Sequence, residues 1–97
     1  HADRAPKPLN GDVDRYVASA AAAELAELET AAQGARNDAL NRASFNIAQF
    51  VKAGALPEDW ARGQLEARAV NLGLSIIEAR GTISSAFNAA QPRGLPK

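Results

Sequence analysis

Arg36, Asn37, Asn41, Arg42 and Phe45 bring guanidinium, carboxamide and aromatic groups together in an otherwise alanine-rich chain, within the run Gly34-Ala35-Arg36-Asn37-Asp38-Ala39-Leu40-Asn41-Arg42-Ala43-Ser44-Phe45. On a helix, Asp38, Arg42, Phe45, Gln49 and Lys52 follow at spacings of four, three, four and three and line one face, with Asn41 and Asn46 beside it. Such a strip suits single-stranded nucleic acid: Arg36 or Arg42 can pair with phosphate, Asn41 can read a base edge and Phe45 can stack on a base. A plainer use exists for most of them. Asn37 or Asp38 caps the helix, Phe45 widens an apolar stripe, and Arg42 pairs with Asp38 one turn away. Arg36 is the residue that capping does not require. A second polar stretch runs from Ser75 to Asn88, where Arg80, Ser84 and Asn88 share a helical face and Thr82 and Ser85 lie on adjacent ones. Hydroxyls and a guanidinium on one helix bind phosphates without a large charge excess; the alternative is an ordinary solvated face.

Catalysis finds little to work with. Carboxylates pair at Asp12 and Asp14, Glu24 and Glu27, and Glu58 and Asp59, but at helix starts or on solvated faces, whereas general acid–base chemistry needs a desolvated group. His1 is the single histidine and cysteine is absent, so no internal imidazole activates a serine, thiolate chemistry and thiolate metal sites are removed, and a protein zinc centre is not expected. Glycines occur singly, without a phosphate-cradling loop. We expect no catalytic residue, no metal site and no cofactor in this domain.

The elements that position the polar strips follow from periodicity. Apolar residues recur at three and four throughout and nowhere alternate, so the fold is expected to be all-α: a compact bundle of four helices, with room for a fifth, joined by short loops. The first helix, roughly 12–32, places Val13, Tyr16, Val17, Ala20, Leu25 and Leu28 on one side and is stopped by Gly34. The second, roughly 37–53, buries Leu40, Ser44, Ile47 and Val51 and ends at a left-handed Gly54. Pro57 fits the first turn of the third helix, ahead of Glu58 and Asp59, and that helix buries Trp60, Leu65, Ala69 and Leu72 before Gly73. Tyr16 and Trp60 read as core anchors. Ser75 with Glu78 forms a capping box that opens a fourth helix, with Ile76, Ile83, Phe87 and Ala90 inward. Residues 1–10, with Pro6 and Pro8, read as a flexible linker or, at His1-Ala2, a tag remnant; 11–91 form the bundle, and 92–97 a second linker.

The order of these motifs resembles a known family. The arrangement G-x-R-N-D-x-L-N-x-A-x-F over Gly34 to Phe45, a G-x-L-x-E turn at Gly54, Leu56 and Glu58, and E-A-R-x-T-I-x-S over Glu78 to Ser85 are similar to the small helical domain of phage and plasmid primase-polymerases, across about Val13 to Pro92. That resemblance implies a helix bundle C-terminal to an archaeo-eukaryotic-type primase-polymerase domain, in a replication protein that often carries a helicase as well. It also implies that the bundle grips single-stranded DNA template and initiating nucleotide. Arg36, Asn37, Asn41 and Arg42 would then contact template or triphosphate, with Arg80, Thr82 and Ser85 as a second group. Mg2+ or Mn2+ and NTP or dNTP would belong to the catalytic domain of the same chain.

Charge sets limits on this reading. The 97 residues hold 11 basic and 11 acidic side chains, so no net field draws the domain to a polyanion and any binding is local. The principal alternative is a protein-interaction or oligomerisation module, suited to the acidic first helix and alanine-rich faces. A helix-turn-helix binding duplex DNA ranks third, because helix three carries as much acid as base. No apolar run approaches the roughly 20 residues that span a bilayer, and the expected setting is the cytoplasm of a bacterial host.

Overall fold

The computed structural model describes residues 11–94, and in them four helices follow one another: α1 (Gly11–Glu29), α2 (Arg36–Lys52), α3 (Glu58–Asn71) and α4 (Ile76–Ala89), with a 3-10 turn at Gln33–Ala35 leading into α2. The all-α bundle expected from periodicity is what the chain forms. The expectations for residues 1–10 and 95–97, and for the side chains of Asp12, Val13 and Asp14, lie outside the described residues.

Local chemistry accounts for most of the boundaries. Gly54 and Gly73 both take left-handed backbone, at φ 80° and 101°. Each closes a Schellman motif: Ala55 N donates to Phe50 O at 2.9 Å and Gly54 N to Val51 O at 3.0 Å, and Leu74 and Gly73 repeat the pattern onto Ala69 and Val70. The Ser75 hydroxyl accepts from Glu78 N at 3.1 Å, which caps α4. Pro57 differs from expectation: at φ −74° and ψ 139° it is the extended residue before α3, not its first turn. α1 also ends early. The Thr30 hydroxyl donates to Glu27 O at 2.8 Å, and Thr30 and Ala31 amides bond three residues back, so the helix tightens and unwinds at Glu29 instead of running on to Gly34.

α2 is the centre of the molecule and packs on all three other helices, whereas α1 and α4 do not touch. Its most extensive partner is α4. Asn37 meets Thr82 near the start of the pair and Arg93 N donates to Gln49 O past its end, so α2 and α4 run parallel. Small buried side chains permit the approach: Ser44 and Ala48 follow Asn37 along one flank of α2, while Ala79 precedes Thr82 on α4 and Ala86 and, just past the helix, Ala90 follow it. The larger core side chains include Leu25, Leu28, Leu40, Ile47, Phe50, Leu65, Ile83 and Phe87. Phe50, which periodicity did not single out, is 1 % exposed, with the partly exposed Tyr16 ring edge-on to it at 6.0 Å.

Two inward assignments fail, those of Tyr16, which is 37 % exposed, and Ile76. Ile76 is 38 % exposed, because at the register set by Asn37 and Thr82 the first turn of α4 projects beyond the start of α2. Val51, Trp60 and Leu72 are half-buried and pack on the core from its edge.

Candidate nucleic-acid interface

The polar residues of α2 divide between its flanks according to what each neighbouring helix offers. Asn46 turns toward α1 and donates to Glu24 Oε2 at 3.1 Å. Arg36, at the first position of α2, points to the end of α3: Nε donates to Gln33 O at 3.2 Å and Nη1 to Leu72 O. Asn37 faces α4, where its Oδ1 accepts from the Thr82 hydroxyl at 2.8 Å. Asn41 lies one turn further along the same flank as Asn37, exposed, and Arg42 is exposed on the outer side.

This arrangement corrects several expectations. Neither Asn37 nor Asp38 caps α2: its preceding residue is Ala35, without a side-chain cap, and the 3-10 turn supplies the entry. The ion pair between Asp38 and Arg42 does not form, and among the described residues Asn41, Arg42 and Ser85 have no hydrogen-bond or ion-pair partner. Phe45 is half-buried and packs against the core edge, which is the stripe-widening use. The second group is split. Arg80 turns to α3 and meets Glu66 Oε2 at 3.2 Å, while Thr82 turns to α2 and Ser85 to solvent.

The structure therefore joins Asn37 and Thr82, places Asn41 and Ser85 one turn beyond each of them, and leaves Arg42 free nearby. Two arginines stay outside that set because each has a partner in α3. Arg93 was missed by sequence reasoning, which placed it in a linker; its backbone returns to Gln49 O at 3.1 Å and its guanidinium covers the Phe50 ring at 4.9 Å. An arginine shortly after a helix, following a proline, carries no signal of this return.

A different surface feature is mostly apolar. Between α1 and α3 runs a groove of about 370 Å³, lined by Ala18, Ala22, Ala26, Leu25, Leu56 and Trp60. Its far end is polar: Arg68 Nη1 donates to Gln64 Oε1 at 2.7 Å, and Arg68 Nε lies 3.2 Å from Glu29 Oε2 without an aligned hydrogen bond. The other arginine of α3, Arg62, is held by Glu58, by Ser84 and over the Phe87 ring. With both guanidiniums of α3 and that of Arg80 engaged, a duplex-reading helix lacks free cations.

Among the described residues no three His, Cys, Asp or Glu side chains gather as a metal site, and no helix is long and apolar enough to cross a membrane. Comparison of the chain with protein-family models, with curated proteins and with solved structures finds no match.

Proposed function

We propose that this bundle is the accessory domain of a primase-polymerase, holding single-stranded DNA template, the initiating nucleotide, or both, for a catalytic domain of the same protein in a bacterial cytoplasm. The bond from Thr82 to Asn37 carries the reading: it links two polar segments 45 residues apart into one surface along the α2 and α4 seam. Asn41 and Ser85 extend that surface with unused amide and hydroxyl groups, which serve base edges and phosphate oxygens, and Arg42 is an unpaired cation beside them. The parallel α2 and α4 point their N-terminal, partially positive ends to the same side. Metal ions and nucleotidyl transfer belong to the catalytic domain in this reading.

The test is titration of a fluorescent single-stranded oligonucleotide by anisotropy, with and without ATP and magnesium, at low and physiological salt. Salt-dependent binding that falls in Asn41→Ala/Arg42→Ala supports the reading. A folded domain that binds in none of these conditions sinks it. The second reading, a protein-interaction module, draws on a different observation, the apolar groove beside Trp60 together with Ile77, which is 81 % exposed. It predicts association with a protein partner or a second copy and no affinity for nucleic acid.

A further inference from the structure

Arg36 stands near the start of the sequence motif, yet its guanidinium is turned away from the seam and into the corner where α2 begins, α3 ends and the chain turns toward α4. Leu72 is the residue that ends α3, and the two amides that follow it bond further back, to Val70 and Ala69, so the Leu72 carbonyl is left without a backbone donor. Arg36 Nη1 supplies that donor from 36 residues away, while Nε holds Gln33 O at 3.2 Å. A cation at the first position of α2 opposes the dipole of its own helix; placed on the last carbonyl of α3 it is favoured.

Gly73 completes the corner in two ways. It takes the left-handed backbone, φ 101°, that the Schellman turn requires. It also leaves room for the guanidinium, since a Cβ on Gly73 would lie 2.7 Å from Arg36 Nη1. The chain thus clears a place for Arg36 against α3 and follows it directly with Asn37, whose side chain meets Thr82.

We infer that Arg36 is a positioning residue of the α2 and α4 surface: it holds the start of α2 on the end of α3 so that Asn37 stands against Thr82, and it makes no contact with the ligand. This rests on the binding role proposed above. A displaced α2 start leaves the surface competent only part of the time, and a competent fraction of about a tenth weakens apparent affinity about tenfold.

Gly73→Asn separates positioning from contact: asparagine is among the side chains least penalised at positive φ, although φ 101° still strains it, and its Cβ displaces the guanidinium while leaving the charge of Arg36 in place, so the double variant shows whether strain adds a loss of its own. The measurement is the affinity of a fluorescent single-stranded oligonucleotide across a salt series, for wild type, Arg36→Ala, Gly73→Asn, the double variant and Arg42→Ala, with a thermal melt confirming that each is folded. Should Arg36→Ala unfold, Gly73→Asn and the milder Arg36→Gln carry the comparison. Expected are similar losses of about tenfold in Arg36→Ala and Gly73→Asn, no further loss in the double variant, and an unchanged salt slope, against a slope lowered by about 0.7 in Arg42→Ala, the value for one phosphate contact on a single strand. A slope lowered in Arg36→Ala with Gly73→Asn binding as wild type overturns the inference and leaves the binding role standing. Absence of binding by wild type overturns the binding role itself and, with it, any positioning for a ligand.

Discussion

Two helix pairs of this bundle, α2 with α4 and α1 with α3, end up with opposite surfaces. Small buried side chains bring α2 and α4 together, and their outer flanks carry amides, hydroxyls and the free Arg42. α1 and α3 also carry small residues, Ala18, Ala22 and Ala26, but these line a groove instead of filling an interface. Ala22 and Ala26 are exposed, whereas Ala48, Ala79 and Ala86 are buried. Alanine is therefore not by itself a sign of close packing. What separates the pairs is whether a partner backbone comes near enough to cover it.

Overpacking tests this contrast most strongly. Ala86→Leu inserts methylenes where α2 and α4 have no space and is expected to cost about 1–3 kcal/mol, read as a fall in the urea midpoint at unchanged slope. A loss under about 0.5 kcal/mol would mean that the seam is looser than described.

A smaller effect is expected for the surface bond that ties the seam. Asn37→Ala, Thr82→Val and their combination should give a coupling of about 0.5–1 kcal/mol in a double-mutant cycle. Additive losses would show that the two side chains do not interact in solution.

Ser44 offers a third way to sharpen the comparison. Its hydroxyl is fully buried on the α4-facing flank of α2 and has no partner. Removing an unsatisfied buried polar atom relieves a desolvation cost, so Ser44→Ala should be neutral or stabilising by up to about 1 kcal/mol. Destabilisation beyond about 1 kcal/mol would reveal a bond that this hydroxyl makes in solution.

Ala22→Leu, on the groove, should change stability by less than about 0.5 kcal/mol, because the added atoms enter open space. Trp60 is the chain's one tryptophan and lines the same groove, so its fluorescence reports whether leucine enters. An unchanged spectrum with a loss of stability would place the substituted side chain elsewhere.

Elements whose causes are local were legible from residue types. Gly54 and Gly73 end helices because glycine takes positive φ without penalty, and Ser75 caps α4 because its hydroxyl reaches an amide three residues on. The end of α1 was misplaced although its cause is also local: Thr30 donating to Glu27 O competes with continuation of the helix, and a threonine at that position carries no stronger sign of a stop than Gly34 does.

By its order of apolar and breaking residues the chain determined that it forms four helices, where three of them stop or start, and which polar groups exist to be used. Their assignments were decided only in three dimensions. Leu72 lies 36 residues from Arg36 and Thr82 lies 45 from Asn37, so whether a side chain is spent inside the fold or left for a ligand depends on distances that helical spacing does not encode. Arg36, which no local rule explained, was taken up by an unpaired carbonyl, and Arg42, for which a partner stood one turn away, remained free. A buried or orphaned backbone group draws the nearest long donor, whereas an exposed ion pair gains little over two hydrated charges.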